Sequence, residues 1–406
     1  MLDIGVTNMI PEFQHITGYI YPNEFELHWG TLIVVYPYIT GLVAGAFILA
    51  SLERVFNVKV LQPVYRLSLL AALAFLLVAP LPLIIHLGRP ERAFEMFLTP
   101  STKSAMAMFG FVYAWYLMVV LLLEIWFDYR KEIVIWSQEK EGLSKYIYKI
   151  LTLGATDISE PSLNFDAKIG KVITIIGIPS AFLLHGYVGF IFGAVKANPW
   201  WSSVLMPIVF LFSAMVSGIA LVFLIYMVTS MFRRKEMDMD CLNKLAELLL
   251  YAMIIDFSLE LLDFTHRLYE SEESIKILAE LIYSRLFISL IVSQIIIGSL
   301  VPMISITWAR FFKLPDEMRR MVYFITAILV QVGIFSTRWN VVIGGQLFSK
   351  SLRGLTVYKL QLLGIEGLLM AAFLLILPLV ILYILCKVLP PWVENEGEFQ
   401  TSEIET

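Results

Sequence analysis

Nine stretches of the chain are almost wholly apolar: residues 31–52, 66–87, 105–127, 171–195, 201–230, 246–266, 279–308, 318–338 and 361–387. A helix crosses ~30 Å of hydrocarbon with about 20 apolar residues, and every stretch meets that length. The runs 201–230 and 279–308 exceed it, which predicts tilt or projection beyond the bilayer. Pro80, Pro82, Gly177 and Pro179 interrupt two of the runs. The pattern predicts an all-α, polytopic transmembrane helical bundle of about nine spans, with eight to ten as the range.

Composition agrees. Of the 406 residues, 59% are hydrophobic and 16% charged, and mean hydropathy is +0.78. A soluble domain carries about 25% charged residues, so a water-soluble fold is excluded. Cys241 and Cys386 stand at span ends and form no CxxC pattern. They offer too few thiolates for an iron–sulfur cluster or structural zinc. The opening MLDIGVTNMIPEF has no basic region and is not expected to be a cleaved signal. Net charge is −4, and no nucleic-acid partner is expected.

Lysine and arginine set the orientation, because basic loops stay cytoplasmic. The N-terminal side collects ten: Arg89, Arg92, Lys103, Lys196, Arg267, Lys276, Arg338, Lys350, Arg353 and Lys359. Arg285 falls within a span, and the other nineteen of the 30 lie on the opposite side. The expected organisation is an outer segment 1–30, one membrane domain 31–390 and an acidic cytoplasmic tail 391–406. The domain includes a cytoplasmic loop 128–170 and an outer loop 339–360. Within the former, LSKYIYKILTL (143–153) is weakly amphipathic; it suits the membrane surface or a partner, and equally a solvated linker.

Ionisable groups in hydrocarbon are expensive and usually functional. Asp256, Glu260 and Asp263 follow an i, i+4, i+7 spacing and share one helix face. Arg285, at a similar depth on the next helix, is expected to pair with Asp263. One arginine cannot neutralise three carboxylates, so the stripe suits a proton route toward the outer face. The bland reading of the pair is a structural contact that fixes helix register.

All five histidines, His15, His28, His86, His185 and His266, fall in the N-terminal tail or the outer halves of spans. Singly, such residues are packing groups; together, beside aromatic residues, they suit a quinone headgroup whose carbonyls need proton-carrying donors. A haem between His86 and His185 is the competing reading. No helix carries two histidines at the thirteen- or fourteen-residue spacing of stacked b haems.

Two blocks then point to a family. LGRPERAF followed by PSTKSAMAMFG, and later HGYVGFIFGAVKANPWWSSVLMPIVFLFSAMVSGIAL, resemble the signature blocks of the NrfD-like, polysulfide-reductase membrane subunits. They cover roughly residues 28–225. The stretch STRWNVVIGGQLFSKSLRG (336–354) resembles the longer branch found in hydrogenase, alternative complex III and sulfite-reduction complexes, with the P subunit of DsrMKJOP as the most similar type.

The resemblance implies a helical subunit that binds quinone near the outer face. It carries no haem or iron–sulfur cluster of its own and meets a ferredoxin-like iron–sulfur subunit outside. His86, Gly88, Arg89, Pro90, Ser104, Gly110 and His185 match its motif positions, and His28 in NEFELHWG resembles a quinone-contacting histidine. Arg89 and Arg92 could equally anchor lipid headgroups or seat an acidic partner surface. Gly88 would let backbone approach whatever lies beneath it.

The resulting expectation is a quinone-reactive subunit in a prokaryotic cytoplasmic membrane. It would exchange electrons between menaquinone or a related quinone and the iron–sulfur subunit, with other membrane and cytoplasmic redox subunits and membrane lipid as partners, in sulfur-linked respiration. His28, His86, Arg89 and His185 would hold the quinone and the acidic stripe would carry protons. Catalysis belongs to the assembly. The alternative is a proton-coupled ion or solute transporter built on Asp256, Glu260, Asp263 and Arg285.

Overall fold

The computed structural model describes residues 16–99, 101, 103–270 and 274–392. His15, the first fifteen residues and most of the acidic tail lie outside the described residues. Strand β1 (Thr17–Tyr19) precedes α1 (Thr31–Arg54), α2 (Gln62–Val78), α3 (Leu81–His86) and the one-turn α4 (Glu95–Leu98). Helix α5 (Ala105–Trp115) passes through a π-helical turn, Tyr116–Leu121, into α6 (Leu122–Glu139). Then come α7 (Gly142–Leu151), α8 (Glu160–Gly193), α9 (Met206–Arg233) and α10 (Met239–Glu270). Helix α11 (Ile275–Leu281) continues as a π-helix, Ile282–Leu300, into α12 (Val301–Phe311). Helix α13 (Asp316–Val342), strand β2 (Arg353–Leu355) and α14 (Leu368–Val388) complete the order.

Among the described residues, eight helical stretches are long and apolar enough to cross a membrane. A ninth long helix, α10, spans 32 residues and carries the acidic stripe. The chain is therefore an all-α polytopic bundle. Helix α1 is apolar on every side, the mark of a helix enclosed by others, and 94% of its most apolar window lies inside the protein. It packs on α2, α8, α9 and α13. The tightest approach is to α9, where a Cβ on Gly45 would strike the Ala214 carbonyl and one on Gly218 the Gly45–Ala46 backbone.

The bundle has two ends. At one, β1 pairs antiparallel with β2, Thr17 opposite Leu355 and Tyr19 opposite Arg353. This β-ladder end also holds the start of α1 and the loop before α14. At the other, α7 is fixed by Tyr148, which donates to the Val388 carbonyl (2.8 Å), and by Trp126, which donates to Leu151 (2.9 Å). Leu143, Tyr146 and Ile150 stay exposed on α7.

Several boundaries differ from the apolar runs. The segment 128–170 is mostly helix, since α6 runs to Glu139 and α8 starts at Glu160. Its charges answer one another inside the bundle: Asp128 meets Arg54 (2.7 Å) and Arg66 (2.8 Å), and buried Arg130 meets Asp166 (2.6 Å). Span 66–87 is broken between Val78 and Leu81, with Pro80 in the break and Pro82 in the first turn of α3. Span 361–387 begins only at Leu368, after Gly364 at φ +113°.

Gly45→Val and Gly218→Val should each force α1 and α9 apart and destabilise the protein by about 1–3 kcal/mol or more. Thermal unfolding in detergent would check this, and an unchanged midpoint in both variants would contradict the packing.

Candidate functional site

The site is organised by the last turn of α13. Its last four carbonyl groups run past the end of the helix, and each is bonded. The Trp339 carbonyl accepts from Ile343 N (2.8 Å), Asn340 from Trp200 Nε1 (2.8 Å), Val341 from Trp201 Nε1 (2.6 Å) and Val342 from Gln346 Nε2 (2.8 Å). The NPWWSS turn is thus pinned over α13. Asn198 shapes it by accepting from the Trp200 and Trp201 amides (3.0 and 3.2 Å).

Beneath Trp200 lies a cleft of about 220 Å³ between α9, α10, the long π-helix and α13. Its walls are apolar, including Met206, Phe210, Phe257, Phe264 and Leu290, while Glu260, Asp263, Arg267, Gln294 and Asn340 supply its polar side. A hydrogen-bond chain orders that side. Ser289 donates to Asn340 Oδ1 (2.6 Å), Asn340 Nδ2 to Gln294 Oε1 (2.8 Å), and Gln294 Nε2 to Glu260 Oε2 (3.1 Å). The π-helix buries Ile282, Leu286, Leu290, Gln294 and Gly298, one residue in every four, and so aims Gln294 inward.

The expected Asp263–Arg285 pair is not formed. Asp263 is buried and accepts from Ser203 on one oxygen and Arg267 on the other. Arg267 stands one turn further along the same helix face, so it reaches the carboxylate without crossing to a neighbour. It also donates to the Trp200 carbonyl, which ties the stripe to the roof of the cleft.

Behind the cleft lies Arg338, which the sequence placed among the outer loop charges. It is fully buried. Its Nη2 donates to Ser213 Oγ (2.5 Å) and to His185 Nε2 (3.2 Å), and its guanidinium lies 4.2 Å from the Phe210 ring centroid. Arginine only donates, so His185 Nε2 accepts and the ring proton sits on Nδ1, 3.3 Å from Thr40 Oγ1. His185 stacks on Phe210, whose ring is part of the cleft wall. Arg338 Nε and Nη1 have no hydrogen-bond partner, nor does Asp256 Oδ1. Asp256 and Glu260 are the acidic groups that face Arg338 electrostatically.

The histidines do not converge. His86 ends α3 and its Nδ1 lies 2.5 Å from Glu366 Oε1, and a Cβ on Gly30, just before α1, would press on that carboxylate. His185 meets α1 ten residues later, at Thr40, which is roughly 15 Å along the axis. The two imidazoles therefore share neither a quinone pocket nor a haem iron. His28, Arg89 and Pro90 are exposed at the β-ladder end. Gly88 has open space around it rather than a close neighbour. Ser104 caps α5 by accepting from Ala107 N (3.4 Å), and Gly110 makes room for Met96.

Glu366, Gln294, Asn340 and Arg338 were missed. Arg338 carried a signal, since it falls within one turn of an apolar run. Glu366 carried one too, as a carboxylate inside the apolar run 361–387, but its partner His86 lies 280 residues away.

A model of the family described as polysulphide reductase, NrfD, matches residues 22–350. The chain belongs to the NrfD family. It is 33% identical over 322 residues to a selenate reductase subunit of Mesobacillus selenatarsenatis, covering 78% of this chain and 73% of that one. It is 26% identical over 204 residues to protein NrfD of Escherichia coli, 48% of this chain and 59% of that one. It is 21% identical over 218 residues to the Hdr-like menaquinol oxidoreductase integral membrane subunit of Archaeoglobus fulgidus, 54% and 46% of the two chains. As an NrfD-family member the chain is a membrane redox subunit, and the family match covers the cleft, the tryptophan turn and Arg338 together.

Arg338 and Asp256 are both buried, without a direct hydrogen bond between them. Arg338→Met should destabilise the protein by removing its bonds to Ser213 and His185, and if the Asp256 charge also depends on it, Arg338→Met with Asp256→Asn should recover part of the loss. Unfolding of both variants in detergent measures this; equal losses would show that the two groups are independent.

Proposed function

We propose that this chain is the quinone-reactive membrane subunit of a multi-subunit oxidoreductase, with the cleft beneath Trp200 as its headgroup site. One observation carries the reading. An apolar cleft of about 220 Å³ ends in an ordered row of two amides and a carboxyl group, Asn340, Gln294 and Glu260. Ligand pockets combine apolar walls with a few convergent polar groups in this way. A quinone ring fits that donor set, since its carbonyls need hydrogen-bond donors and its tail needs apolar walls. The amide chain holds Gln294 Nε2 toward Glu260, and the neighbouring Arg267 and Asp263 fix the end of the cleft.

When bound, the quinone supplies two-electron, two-proton redox chemistry. The chain's own task is to orient the ring, exclude water with Trp200 and Phe210, and move protons along Glu260 and Asp256. A menaquinone-class carrier is the favoured occupant, in line with the name of the Archaeoglobus relative. Electrons would pass to or from an iron–sulfur subunit at the β-ladder end, where Arg89, His28 and the His86–Glu366 pair offer a polar docking face. The orientation reading keeps its direction when enclosed or internally paired arginines are set aside, Arg338 at that end and Arg54, Arg66 and Arg130 at the other. The site would then open on the outer side of a prokaryotic cytoplasmic membrane.

The transporter reading loses its main support, because the stripe is tied to the cleft and the family comprises reductase-complex subunits. We place the chain in the longer branch on STRWNVVIGGQLFSKSLRG, with sulfite-linked respiration as the finer proposal. Subunits that copurify identify the branch, and a selenate-reductase-type catalytic partner would redirect it.

Gln294→Leu and Asn340→Leu should each weaken binding of a quinone analogue about tenfold, the loss of roughly one hydrogen bond. His86→Ala should change it less than about twofold, well under one such bond. Binding to the purified complex, with mass spectrometry of extracted lipid, tests this. Affinity that follows His86 and ignores Gln294 would move the site to the β-ladder end.

A further inference from the structure

The chain holds a second carboxyl stripe that the redox reading does not use. Glu124, Asp128 and Glu132 follow one another at i, i+4 and i+8 along α6, on a single helix face. Their exposure falls in sequence: the Glu132 side chain is 30% exposed, Asp128 8%, and Glu124 wholly enclosed. Thr174, which faces Glu124 from α8, stands 19 residues before the end of that helix at Gly193. This places Glu124 roughly 28 Å from the β-ladder end, toward the end that carries α7.

Charge counting favours a neutral Glu124. Arg54 and Arg66 are both engaged by Asp128, and Arg66 also by Glu132 (2.8 Å). Two guanidinium groups therefore meet two carboxylates, and the cluster is neutral without Glu124. Arg54 reaches it beside Gly170, where a Cβ would collide with the guanidinium. The remaining groups facing Glu124 are uncharged: Thr174 from α8, Tyr116 from the π-helical turn and Tyr65 from α2. An ionised Glu124 would have to share Arg54 with Asp128 and would leave the enclosed cluster with one negative charge in excess.

Hydrogen bonding is compatible with this. Thr174 Oγ1 lies 2.7 Å from Glu124 Oε1 and 2.9 Å from the Gly170 carbonyl. A hydroxyl has one hydrogen. If it goes to the Gly170 carbonyl, the usual bond of a helical threonine, then Glu124 must be the donor and carries the proton. Its second oxygen, Oε2, and the neighbouring Tyr116 hydroxyl are buried without a partner. Both can accept a hydrogen bond from water.

We infer that Glu124 is a neutral carboxylic acid that exchanges its proton with solvent at the α7 end through the α6 stripe, as a site separate from the cleft. Arg54 and Arg66 hold Asp128 and Glu132 as the ionised outer members, and Glu124 is the enclosed member that stores the proton. The inference stands independently of which quinone, if any, occupies the cleft.

Infrared difference spectroscopy tests it on the purified complex in an ester-free detergent. The wild-type complex should show a protonated carboxyl C=O band that shifts down in D₂O, disappears in Glu124→Gln and persists in Glu260→Gln. Absence of the band, its survival in Glu124→Gln, or failure to shift in D₂O would each overturn the proposal. Should Glu124→Gln fold poorly, Thr174→Val keeps the acid and removes its partner. The band should then move to higher frequency, and an unmoved band counts against Glu124.

Discussion

A bundle surrounded by hydrocarbon must meet each internal charge with a group of its own chain. That constraint is visible at several enclosed polar groups of this protein. Arg338 is fully enclosed, and Ser213, His185 and the face of Phe210 gather around it, with Asp256 and Glu260 as its acidic neighbours. Asp263 is held by Arg267, and Arg130 by Asp166. The same demand applies to backbone, and the NPWWSS turn meets it at the end of α13 by two indole donors.

These requirements tie the roof of the cleft, its acidic wall and its amide row to one helix end. Trp200 caps α13 and accepts from Arg267, Arg267 holds Asp263, and Asn340 of α13 positions Gln294. A displacement of α13 would therefore reach every polar group of the cleft at once. His185 lies on the far side of Phe210 and contributes to the support of Arg338, away from the cleft surface.

The bundle itself was legible in the apolar runs, because hydrocarbon leaves few alternatives to a helix of about 20 residues. Helix ends were less legible wherever polar residues are paired internally. FDYRKE reads as the start of a loop, yet Asp128 and Arg130 are neutralised by Arg54, Arg66 and Asp166, and the helix continues. The acidic stripe was visible from its spacing. Its partner was misassigned because depth alone cannot distinguish Arg285 on the next helix from Arg267 one turn away. The supposed histidine cluster failed for another reason. Similar depth does not imply proximity, and His86 and His185 meet α1 at different turns. Glu366 stood inside the apolar run 361–387 as an unexplained carboxylate, and nothing local named its partner His86, 280 positions away.

The ladder between β1 and β2 has a bearing on biogenesis. Tyr19 accepts from Ser351 Oγ (2.5 Å) across 332 residues, so this seam closes only after every helix from α1 to α13 has been synthesised. Until then the leading strand has exposed backbone edges and no mate. Packing at this end of the bundle therefore waits for residues translated after α13, which draw the segment before α1 onto the loop before α14.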